Sequence, residues 1–251
     1  MAFCELHIYS EALGVQTTVN VVIPQRKTAG EIGVENCGDQ EQYPCLYLLH
    51  GLSDDHTIWH RRTSIERYAQ KYGVCVVMPF GGRSFYTDTD FEKYYTYIAK
   101  ELPAIIQDTF PVSGKREDNF IAGNSMGGYG ALKIALKCCE QFSAGAGLSS
   151  VADVLAVKEH FPTVFHAIFG EEVPKEEDLF YLAEETEKNP QKPRLLSIIG
   201  TEDFLYQDNL RLKAHLENLD FDFTYQESAG GHTWGFWDDY LPTVLTWMLK
   251  K

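Results

Sequence analysis

Two hydrophobic rhythms alternate along this chain. Short, largely apolar runs recur at residues 44–49, 74–78, 120–122, 142–148, 195–199 and 221–226, and several stop at a glycine or proline: Gly51, Pro79, Gly123 and Gly200. The first four predict strands buried on both faces of a sheet, and the last two predict the closing strands. Between them, residues 54–72, 94–110, 126–137, 210–219 and 236–249 carry apolar positions at helical spacing. Pro103 falls inside the second of these and predicts a kink there. The first part of the chain differs. Val15, Thr17, Val19, Val21 and Ile23 alternate with other residues, and with residues 3–9 they predict a hairpin turning near Leu13-Gly14. Residues 24–43 have no period and predict a surface excursion. Residues 149–193 break the rhythm again, mixing short apolar pieces (Phe161, Val164, Phe165, Ile168, Phe169) with acidic runs.

Strands alternating with helices mean a mostly parallel sheet covered on both faces. With an antiparallel hairpin in front, this is the outline of an α/β-hydrolase fold: one domain over 1–251, helices on both faces, and a small insertion or cap of one or two short helices around 150–192.

Composition narrows the partners. The chain has 251 residues, 44% of them hydrophobic, and a formal charge of −14. That charge argues against nucleic acid and anionic membranes. No apolar run approaches a membrane span, and the N-terminus lacks the pattern of a signal peptide. The six cysteines have no metal-ligand spacing and read as reduced thiols. A cytoplasmic location is the expectation.

Chemistry enters at residues 118–132. The strand predicted at Phe120–Ala122 meets the helix beginning near Met126 across Gly123-Asn124-Ser125-Met126-Gly127. A strand reversing into a helix within one residue strains the central position and leaves no room for bulk two residues away on either side. Ser125 then projects its hydroxyl from the tip of the turn. A serine hydroxyl needs a base, and the base needs an orienting acid. In a parallel sheet these belong after the carboxyl ends of later strands. After 195–199 come Glu202 and Asp203; Asp203 is the preferred acid and Glu202 the alternative. After the last strand comes His232, flanked by Gly230 and Gly231. The oxyanion needs two aimed donors: the backbone N–H of Met126, and one from the loop after His50, with Leu52 preferred and Gly51 or Ser53 as alternatives. His50 itself suits a structural hydrogen-bonding role. Trp59, Phe80, Tyr86, Trp234 and Phe236 are candidate pocket aromatics, and Asp88 a loop cap.

His50-Gly51-Leu52-Ser53, Tyr86-Thr87-Asp88, the stretch from Gly123 to Gly130, Glu202-Asp203-Phe204-Leu205-Tyr206 and Gly231-His232-Thr233-Trp234 together resemble the tributyrin esterase branch of the esterase D-like serine hydrolases. The resemblance runs nearly end to end. It implies a cofactor-free and metal-free carboxylesterase for short acyl esters, with a triad at Ser125, Asp203 and His232. Related branches act on S-formylglutathione or on feruloyl and acetyl-xylan esters. The resemblance leaves open whether the chain forms a homo-oligomer.

Overall fold

A computed structural model describes residues 1–26, 32–35 and 37–250. Part of the excursion expected at 24–43 therefore lies outside the described residues. Eight strands form one sheet in the order β1-β2-β4-β3-β5-β6-β7-β8. β1 (Ala2–Ser10) and β2 (Val15–Ile23) form the hairpin, paired antiparallel from Ala2 against Ile23 to Ser10 against Val15. Gly14 makes its turn at φ 68°. β2 runs antiparallel to β4 (Cys75–Pro79), and from there every pair is parallel: β3 (Cys45–Leu49), β5 (Asn119–Asn124), β6 (Ala144–Leu148), β7 (Arg194–Gly200) and β8 (Phe223–Ser228). Every residue of β3, β4, β5 and β6 is buried, as unbroken apolar runs require.

The sheet divides the core in two. Tyr47, Val77, Ile121 and Leu195 point to one side; Leu46, Leu48, Val76, Ala122 and Ile198 point to the other. The second side is covered by α1 (Ile58–Arg62), α2 (Ile65–Tyr72) and, in part, the last helix of the chain.

The helix expected at 54–72 is thus two helices. Thr63 is extended (φ −136°, ψ 172°), and its hydroxyl donates to the Trp59 carbonyl, ending α1. The Ser64 N–H then turns to the Asp238 carboxylate. The kink expected at Pro103 takes the form of a π turn, Tyr97–Glu101, between α3 (Tyr94–Thr96) and α4 (Leu102–Thr109). The Leu102 N–H donates to the Tyr97 carbonyl, so the wider turn absorbs the proline, which has no N–H to offer.

α5 (Met126–Lys137) follows β5 directly. The cap holds more helix than expected: α6 (Leu155–His160), α7 (Pro162–Phe169), a 3₁₀ turn (Lys175–Glu177) and α8 (Leu179–Glu187). Its apolar pieces are too short to show a period, yet Phe165, Phe169, Leu179 and Ala183 are buried in the core on the α5 side. α9 (Tyr206–Glu217) and α10 (Trp234–Met248) complete the chain. No helix among the described residues is long and apolar enough to cross a membrane.

Candidate active site

The turn from β5 to α5 is as abrupt as its glycines imply. Ser125 sits at φ 54°, ψ −117°, a conformation costing an L-residue of order 1–3 kcal/mol. The surroundings hold it there. Its N–H donates to Leu148, and its carbonyl accepts from Tyr129 and Val151. A Cβ on Gly123 would lie 2.4 Å from the Gly127 carbonyl oxygen, and one on Gly127 would lie 2.4 Å from that of Leu49. Nothing larger than glycine fits on either side of the serine.

The strand after next supplies a carboxylate. Asp203 lies just beyond β7, its side chain fully buried. One carboxylate oxygen accepts the Leu205 N–H at 2.9 Å; the other lies 2.9 Å from His232 Nδ1. A carboxylate only accepts, so Nδ1 carries the proton and Nε2 presents its lone pair. Glu202, the alternative acid, is exposed. The loop after β8 reaches this point because Gly200 has no side chain: a Cβ there would lie 2.0 Å from the Gly230 carbonyl oxygen. Thr201 and Glu202 N–H groups instead bond the Ser228 and Gly230 carbonyls. The His232 ring is held between Phe204 (centroids 4.7 Å) and Trp237 (4.9 Å, nearly perpendicular).

Ser125 and His232 line one cavity of about 770 Å³, without a direct hydrogen bond between them. Catalytic hydrogen bonds are often long before substrate binds. Met126 and Leu52 line the same cavity. The Met126 N–H opens α5, where the first turn's donors are unpaired and the dipole is positive. A Cβ on Gly51 would lie 3.7 Å from that of Ser125, so the Gly51-Leu52 loop runs beside the serine. Ser53 borders the cavity too.

His50 organises that loop. Its Nδ1 lies 2.8 Å from the Gly51 carbonyl and its Nε2 accepts the Gly81 N–H at 2.9 Å, which fixes the neutral tautomer. Burial pushes its pKa down to about 4. Asp54, on the cavity wall, has its carboxyl pushed up by burial, with the Gly51 N–H pulling the other way.

Of the aromatics proposed for the pocket, Trp234 lines the cavity, as does Phe80. The other three do not: Tyr86 and Phe236 fill space that glycines leave, and Trp59 is held behind the wall by a backbone carbonyl. Trp59 is buried, donates its indole N–H to the Leu49 carbonyl, and supports Trp234 edge-on from behind. Tyr86 is fully buried, donates to the His50 carbonyl, and occupies the room left by Gly81 and Gly130. Phe236 packs into the gap at Gly230 and against Tyr240. Asp88 accepts from the Thr96 N–H and hydroxyl, the capping expected of it.

Several cavity residues carried no sequence signal. Ala156, Val157, His160 and Phe161 come from the cap, Phe85 from the segment after β4, and Trp237 from the last helix. Asn124, beside the serine, borders the cavity fully buried, with neither end of its amide paired to protein. Phe204 could have been found, since it adjoins the candidate acid. Among the described residues no group of acidic, histidine and cysteine side chains could hold a metal ion.

Comparison with known proteins agrees with this architecture. The family model described as "Putative esterase" matches residues 10–248. A protein named acetyl esterase from Caldicellulosiruptor saccharolyticus is 30% identical over 265 residues, covering 100% of this chain and 99% of that protein. The substrate-bound structure of FphF, a fluorophosphonate-binding serine hydrolase of Staphylococcus aureus, superposes with a TM-score of 0.90 at 33% identity, covering 100% of this chain and 99% of that one. The apoenzyme of S-formylglutathione hydrolase (FrmB), also from Staphylococcus aureus, gives 0.87 at 32% identity over 99% of both chains.

Proposed function

The chain belongs to this esterase family, and from that premise we propose that it is a serine carboxylesterase acting on short-chain acyl esters through an acyl-enzyme. Ser125 Oγ attacks the ester carbonyl carbon while His232 Nε2 takes its proton. Asp203 holds the imidazole in the required tautomer and stabilises the imidazolium. The carbonyl oxygen, now an anion, is received by the Met126 and Leu52 N–H groups. Collapse of the tetrahedral intermediate breaks the bond to the alcohol oxygen, which leaves with the proton from His232. Water then gives a proton to His232, attacks the acyl-enzyme, and releases the acid with Ser125 restored. None of these steps calls for a metal or organic cofactor. The substrate is a small molecule and the expected compartment is the cytoplasm.

The observation that carries this reading is the 2.9 Å bond from His232 to a buried Asp203, made on the wall of the same cavity where Ser125 stands at its strained turn. Replacing Ser125 by alanine is expected to lower kcat on p-nitrophenyl acetate by on the order of a thousandfold or more. A loss of only a few-fold would reject Ser125 as the nucleophile.

The likeness to FrmB supports a second reading, hydrolysis of a thioester such as S-formylglutathione. Side-by-side turnover of acetate esters and that thioester separates the two. Methyl ferulate in the same panel tests the feruloyl alternative.

A further inference from the structure

Lys133 stands in an apolar stretch of α5, about two turns beyond Ser125. It is completely buried. Its ammonium spends all three protons on protein: the Phe85 carbonyl at 3.0 Å, the Thr87 hydroxyl at 2.6 Å, and Glu177 Oε2 at 2.5 Å. Glu177 is itself nearly buried and lies in the 3₁₀ turn of the cap. The Thr87 hydroxyl also reaches its carboxylate, Lys137 lies 3.4 Å from its other oxygen, and the Tyr129 hydroxyl donates to its backbone carbonyl at 2.6 Å. Three separate segments thus meet at one ion pair: the helix that follows the nucleophile, the loop at 85–87, and the cap.

The helix borders the cavity at Met126, and the other two segments wall it further out. Phe85 lines it, and so do Ala156, Val157, His160 and Phe161 of the cap. Phe85 and Tyr86 both hold positive φ, 50° and 52°, which non-glycine residues keep only under outside constraint. The bond from Lys133 to the Phe85 carbonyl is such a constraint. The Phe85 ring then packs on Tyr129 of α5 and Phe169 of the cap.

We propose that Lys133 and Glu177 are positioning residues for substrate binding, tying the Phe85 and cap walls of the cavity to the nucleophile's own helix. The proposal rests on the esterase reading of this site. Neither residue lines the cavity, so they act through Phe85 and the cap. Burying an ion pair is a poor way to gain stability, since matched apolar residues do as well or better. Fixing one geometry of these walls is what this pair does that apolar packing would not.

The test compares wild type, Lys133→Met and the double variant Lys133→Met/Glu177→Gln on p-nitrophenyl acetate and butyrate, with amide hydrogen exchange in parallel. Lys133→Met leaves the nearly buried Glu177 carboxylate with only the more distant Lys137 as its cation and lowers the melting temperature. Adding Glu177→Gln removes that charge and restores most of the loss, while the bond to Phe85 stays cut. In the double variant we expect kcat within about twofold of wild type, KM raised about fivefold or more, and exchange at 82–88 and 155–177 about tenfold faster. A purely structural pair gives the opposite, with KM recovering alongside stability, and unchanged KM overturns the proposal whatever the exchange shows. Should the double variant not fold, Lys133→Leu/Glu177→Leu cuts the same bonds with apolar side chains in their place, and a wild-type KM there overturns it equally. Failure of the esterase reading looks different: wild type itself would turn over neither ester.

Discussion

Protonating His50 should destabilise this protein, and the cost can be worked out. His50 is 1% exposed at the end of β3, with its Nε2 accepting from Gly81 and its Nδ1 donating to Gly51. Burial holds its pKa down at about 4, against 6.5 for a free histidine; the bond to the Gly51 carbonyl and then Asp55 pull upward, and His56 downward. Below the unfolded value, the unfolded chain binds the proton more readily than the folded one. Stability from this group is therefore fully present above pH 6.5 and lost as pH falls toward 4. Between pH 7 and pH 5 the loss is about 2 kcal/mol, by linkage at 1.36 kcal/mol per unit. The proton would also turn the acceptor for Gly81 into a second donor, releasing the loop that carries Phe80. The assay is urea unfolding at both pH values for wild type and His50→Gln. The variant should be less stable at pH 7, because it leaves a buried backbone group poorly paired, yet lose about 2 kcal/mol less than wild type on acidification. Burial also lowers the pKa of half-buried His56, and taking the difference between the two proteins removes most of its contribution. Equal pH slopes in the two proteins would refute the reasoning.

The remaining expectations concern the candidate triad. Asp203→Asn keeps the shape but can present an amide N–H to Nδ1, favouring the wrong tautomer; kcat on p-nitrophenyl acetate should fall on the order of a thousandfold with a nearly unchanged melting temperature. Gly200→Ala places a methyl 2.0 Å from the Gly230 carbonyl and must displace the loop bearing His232. It should lower kcat at least about tenfold while circular dichroism stays native, because the displaced atoms belong to a site where about 1 Å matters. A Gly200→Ala enzyme with wild-type kcat would show that the loop can shift without moving the imidazole.

The sheet and the residues of the candidate site were legible because each rests on local chemistry. Buried parallel strands need unbroken apolar runs, and they were found where those runs stand. Gly123 and Gly127 announce a turn that only glycine can flank. Asp203 and His232 follow from where loops must leave a parallel sheet. What the sequence hid was whatever depends on neighbours distant in the chain. The break at Thr63 comes from a side chain bonding back to Trp59, with Asp238 taking the next N–H. The aromatics Trp59, Tyr86 and Phe236 carry the composition of a pocket, but glycines at 81, 130 and 230 open room for Tyr86 and Phe236 inside the wall, and a carbonyl draws Trp59 behind it. Lys133 sits in an apolar stretch that predicts only a helix face. Its role became visible when Glu177, 44 residues further on, was folded onto it. Periodicity reports which face of an element is dry; only the packed chain decides which polar atoms meet there.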